Sequence, residues 1–70
     1  MESILYTRIK ELCESRGISM AKLSEDLGIA ASLIRKWKTT TSPSVDRVKM
    51  IAEYFGVSVD YLIGLSDIKD

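Results

Sequence analysis

Apolar side chains recur along this chain at helical spacing, and Gly, Ser and Pro interrupt them at short intervals. Leu5, Ile9 and Leu12 fall at i, i+4 and i+7, which predicts a helix over about residues 3–16 that Gly17 ends. Ser19 stands where a second helix, Met20–Leu27, needs its cap; Leu23 and Leu27 repeat four apart and Gly28 stops it after two turns. Ile34 and Trp37 mark the inner face of a third helix over residues 31–38. The run Thr39-Thr40-Thr41-Ser42-Pro43 predicts a loop, because three β-branched residues and a proline favour extended or turn geometry. Ser44 caps a fourth helix with Asp46 in its first turn, where the positive end of the dipole favours a carboxylate. Its expected buried stripe is Val45, Val48, Ala52 and Phe55, flanked by Ile51 and ended by Gly56. Ser58 caps a short fifth helix, Val59–Ile63, that stops at Gly64. The alternation at Val57-Ser58-Val59 is too short for a strand. The fold expected is therefore all-α: five short helices on one core over residues 1–64, then a tail over residues 65–70.

Composition narrows the chemistry. Seventy residues make one domain, and a chain of that size buries only roughly 60% of its unfolded surface. There is no His and a single Cys, which excludes His-dependent triads, imidazole zinc sites and an internal disulfide. Cys13 lies beside the first apolar stripe and is expected to be a buried, inert thiol. No apolar run exceeds three residues, against the ~18 of a membrane span. Met1-Glu2-Ser3 offers no basic start to a secretory signal, so a cytoplasmic location is expected. So short a chain has little room for a substrate cleft of ~300–1,000 Å³. An enzyme, a cofactor, a bound metal and a small-molecule ligand are all unexpected here.

Net charge is zero, yet its distribution is uneven. Residues 1–29 carry net −1 and residues 50–70 net −3. Residues 30–49 hold Arg35, Lys36, Lys38, Arg47 and Lys49 against Asp46 alone, net +4. Concentrated positive charge of this kind suits a polyanion better than the overall balance suggests.

Residues 20–39 have the spacing of a helix-turn-helix. Close backbone approach needs a small residue, supplied by Ser24, and the turn needs positive φ, supplied by Gly28. Leu23, Leu27, Ile29, Ile34 and Trp37 furnish the inner faces. The stretch from Gly17 to Ile29 resembles the helix-turn-helix domain of phage repressors and Cro proteins, the XRE-like, lambda-repressor-like family. Pro43-Ser44 and the block from Ile51 to Gly64, with Gly56-Val57-Ser58-Val59-Asp60-Tyr61-Leu62 at its centre, are similar to that family's fourth and fifth helices.

The resemblance implies a third helix that enters the major groove of double-stranded DNA, usually as a homodimer on a near-palindromic operator. It implies base contacts from Ala31, Ser32, Leu33 and Lys36. Lys36 can donate to guanine O6 and N7, Ser32 can pair with several bases, and Ala31 and Leu33 offer apolar contact to a thymine methyl. Phosphate contacts are expected from Ser19, Lys22, Arg35, Lys38, Thr39, Thr40 and Arg47, which position a duplex without reading it. Met20 and Ala31 stand where the family often carries Gln, or Gln or Arg, so a phosphate donor and a bidentate base contact are missing. A dimer interface is expected from Tyr61, Leu62, Leu65 and Ile68. Trp37 is assigned to the core, and Tyr6, Tyr54 and Tyr61 to its edges. The function expected is transcriptional regulation, as a repressor of phage or mobile-element type. A protein-interaction module on the same fold, such as an antitoxin or accessory factor, is the alternative that neutral charge, Met20 and Ala31 favour.

Overall fold

Serine starts and glycine stops most of the helices in this chain. The computed structural model describes residues 3–39 and 41–69. Among them it has α1 (Ile4–Arg16), α2 (Met20–Leu27), α3 (Ala31–Lys36), α4 (Val45–Phe55) and α5 (Val59–Ile63), and no strand. The N-caps of α1, α2, α4 and α5 are Ser3, Ser19, Ser44 and Ser58. Each hydroxyl accepts the backbone N–H three residues on, at 3.1, 3.0, 3.3 and 3.0 Å. That satisfies a donor which a helix start leaves without an internal partner. The same four helices end at Gly17, Gly28, Gly56 and Gly64, all at positive φ. α3 has neither device: Ala30 gives it no side-chain cap, and Trp37 ends it in right-handed conformation.

All five helices feed one core. Ile9, Leu12, Leu23, Ile34, Ile51, Phe55 and Leu62 join Ile29 and Trp37 from the connections. No described polar or charged residue is buried, so apolar burial, worth about 25 cal/mol per Å², carries the interior. Cys13 is 2% exposed, and burial, then the nearby Glu14 charge, pushes its thiol up from the ordinary value. It stays a protonated core residue, with its Sγ 3.7 Å from Met20 Sδ. No described helix is long and apolar enough to cross a membrane.

Gly64, the C-cap of α5, lies against Ile4 of α1. Its φ is +88°, and a Cβ built there would lie 2.9 Å from Ile4 Cγ2. Gly64→Ala therefore combines a left-handed backbone with a steric overlap, and is expected to cost about 2 kcal/mol. A urea midpoint unchanged from wild type would contradict that packing.

Three sequence expectations change. Val45 is 74% exposed rather than part of the buried stripe, because it sits on the first turn of α4, past the end of the core. It forms instead one lip of an open cavity of about 380 Å³, with Ile4, Pro43, Val59 and Ile63. α3 closes at Lys36, not 38, because the N–H groups of Thr39 and Thr41 both turn back to the Lys36 carbonyl. The segment after Gly64 is pinned rather than trailing. Arg8 donates to the carbonyls of Tyr61 and Ser66 and to Asp67 Oδ1, and lies 4.2 Å over the Tyr61 ring. Ser58 N–H closes onto the Lys69 carbonyl.

Candidate nucleic-acid interface

The junction of α2 and α3 depends on one backbone conformation. Gly28 has φ +69°, a region that costs a side-chain-bearing residue about 1–2 kcal/mol. This lets the Ile29 N–H reach back to the Ser24 carbonyl at 3.1 Å, while Ile29, 5% exposed, drops beneath the turn. Ser24 is half-buried at this junction, its hydroxyl donating to the Ala21 carbonyl at 2.8 Å. α3 then begins with the Ala30 carbonyl accepting from Leu33 and Ile34 at 3.0 and 3.2 Å.

Ile34 and Trp37, each 1% exposed, fix which side of α3 faces inward. Ser32, Arg35 and Lys36 are exposed, while Ala31 and Leu33 are half-buried. Ser32 and Lys36 stand four apart, one above the other on a single face. Leu33 packs partly against the core, so only part of its side chain is available to a ligand. Lys38 and Thr39 are exposed just beyond the helix, and Arg47 is exposed on the first turn of α4. Thr40 lies outside the described residues.

On α2, the exposed Ser19 already accepts the Lys22 N–H but keeps its own proton to donate. Lys22 Nζ lies 3.2 Å from Asp26 Oδ1, an i,i+4 pair on the surface. The other Asp26 oxygen accepts Tyr54 O–H at 2.6 Å, linking α2 to α4. This hydrogen bond and Lys22 hold the Asp26 carboxyl below its ordinary pKa, and the same bond raises Tyr54. A depressed carboxyl contributes stability that is complete above its unfolded pKa of about 4 and is lost as the pH falls through the lower folded value. Tyr54→Phe should thus destabilise the domain at pH 7 and converge with wild type in strong acid. Denaturation midpoints of the two proteins that stay equally far apart from pH 7 to 2 would refute the link.

Tyr61 and Leu62 are 8% and 0% exposed and belong to the core. The apolar surface on this side comes from Ile63, Leu65 and Ile68, 41%, 76% and 66% exposed. No group of three metal-ligating side chains occurs among the described residues.

Sequence reading missed three long-range ties: Ser3 to Trp37, Arg8 to Tyr61 and Ser66, and Tyr54 to Asp26. The apolar spacing places Ser3 within the first helix, and its partner 34 residues away has no signal in the sequence.

Comparison with known proteins agrees with this geometry. The family model described as helix-turn-helix matches residues 9–62. The chain is 33% identical over 64 residues to the uncharacterized HTH-type transcriptional regulator YobD of Bacillus subtilis (strain 168). That match takes in 90% of this chain and 57% of the relative, so the chain spans a little over half of that protein's length. No solved structure matches it significantly.

Proposed function

This chain belongs to the XRE-type helix-turn-helix family, and we propose that it is a DNA-binding transcriptional regulator rather than an enzyme. It acts in the cytoplasm, as a repressor of phage or mobile-element type that occupies an operator and blocks polymerase. The observation that carries the reading is the outward Ser32–Lys36 face of a helix held from behind by Ile34 and Trp37. An α-helix so presented fits the major groove, about 12 Å wide.

Ser32 and Lys36 read base edges, and Ala31 and the exposed part of Leu33 supply apolar contact. Ser19, Lys22, Arg35, Lys38, Thr39, Thr40 and Arg47 hold phosphates and set the register. With no bidentate group at Ala31, discrimination rests on Lys36 and on the sequence-dependent shape of the duplex.

A homodimer on a near-palindromic operator completes the proposal. Leu65 and Ile68, beside Ile63, form the contact, with Tyr61 and Leu62 as its buried support. Leu65→Asp should then weaken operator binding by about a hundredfold or more with an unchanged helical signal, since a single buried charge costs several kcal/mol in an apolar contact. Equal affinity of L65D and wild type in a gel-shift titration removes this interface.

Selection from a random duplex library at moderate salt tests the function itself. A two-fold-symmetric motif is the expected product. Failure of the folded protein to enrich any sequence would move the reading to a protein partner.

A further inference from the structure

α3 is six residues long without a side-chain cap; the backbone just beyond it satisfies its last carbonyls, and Ser3 takes the two that follow, on Trp37 and Lys38. The Arg35 carbonyl accepts the Lys38 N–H at 3.2 Å, and the Lys36 carbonyl accepts Thr39 and Thr41 N–H at 3.3 and 3.1 Å. The next two carbonyls turn to α1. Trp37 O accepts the Ser3 hydroxyl at 2.8 Å, and Lys38 O accepts the Ser3 N–H at 3.0 Å.

The Ser3 hydroxyl does two things with one oxygen. It donates to Trp37 O while accepting the Tyr6 N–H at 3.1 Å as the cap of α1. The Ser3 carbonyl accepts both the N–H and the hydroxyl of Thr7, each at 3.1 Å, so the residue is held from its own helix. α1 is the longest helix and is anchored in the core through Leu5, Ile9, Leu12 and Cys13. We infer that Ser3 is a positioning residue of the DNA-reading surface: it ties the end of α3, and with it Lys36, Lys38 and Thr39, to the start of α1. The inference rests on the reading of α3 given above.

Capping and tying are separable by chemistry. Aspartate caps a helix about as well as serine but has no proton to give Trp37 O, whereas threonine keeps both functions. The experiment compares wild type, Ser3→Thr and Ser3→Asp for thermal midpoint, for amide exchange at Thr39 and Thr41 in the free protein, and for affinity to the library-selected duplex. Ser3→Thr is expected to stay within about twofold of wild type throughout. Ser3→Asp is expected to lower its thermal midpoint by a few degrees, to exchange Thr39 and Thr41 faster, and to bind the duplex about fivefold to tenfold more weakly.

Unchanged exchange at Thr39 and Thr41 in Ser3→Asp overturns the tie, with or without DNA. Faster exchange at unchanged affinity overturns its part in reading. Equal losses in Ser3→Thr and Ser3→Asp also overturn it, because the hydroxyl donor is then irrelevant. A wild type that selects no duplex defeats the DNA reading and its dependent claim, and is recognised because the exchange measurement still reports on α3.

Discussion

Trp37→Ala is expected to remove about half of the folding stability, the largest loss from any one side chain here. Trp37 is 1% exposed and is the largest fully buried residue, and it sits where the end of α3 meets α1. Truncating a buried Trp costs about 3–5 kcal/mol through lost transfer energy and the cavity left behind. A 70-residue domain at 0.05–0.15 kcal/mol per residue has only about 4–10 kcal/mol in all. The loss would appear as a urea midpoint near half of the wild-type value, followed by far-ultraviolet circular dichroism because the chain has no other Trp. A shift worth under 1 kcal/mol would mean that Trp37 does not pack as described.

The second large effect is on binding. Arg35 is exposed on α3, Lys38 just beyond it and Arg47 on the first turn of α4, and each is proposed to neutralise one phosphate. Three per subunit in a dimer give a slope of log K against log salt near −5, since each neutralised phosphate adds about −0.9. Replacing all three with Gln is expected to make the slope shallower by about 5, leaving the share of Lys22, and to weaken binding by orders of magnitude at low salt. The domain itself should stay folded, because exposed charges of this kind contribute little to stability. A wild-type slope that is already flat would defeat the DNA reading. A steep slope that survives the triple substitution would move the phosphate contacts to other cations.

Local features were legible in the sequence because local chemistry sets them. The Ser-to-Gly boundaries of α2, α4 and α5, and the Gly17 end of α1, follow from two residue types with few substitutes at a cap or a left-handed turn. The inward faces of Ile34 and Trp37 follow from helical period alone. Val45 had the correct period and is nevertheless exposed, because periodicity identifies a face but not where the core stops along it. Tyr61 and Leu62 show the same limit in reverse: an apolar surplus at the C-terminal end was visible, but which members of it are buried depends on how α5 lies against α1. In the sequence Arg8 is only one positive charge among residues 1–29. Its three partners are 53 to 59 residues away, and no spacing in the sequence encodes them.

The missing caps of α3 also bear on when this surface exists at all. Isolated helices below about 12–15 residues are marginal in water, and α3 has six residues and no cap of its own. Cut out with its turn and α2, it should be a coil. α3, the helix proposed to read DNA, is therefore a property of the complete fold. Competence to bind arrives in one step with the core, so apparent affinity follows the folded fraction: a destabilised chain holds fewer competent molecules, each as good a reader as before.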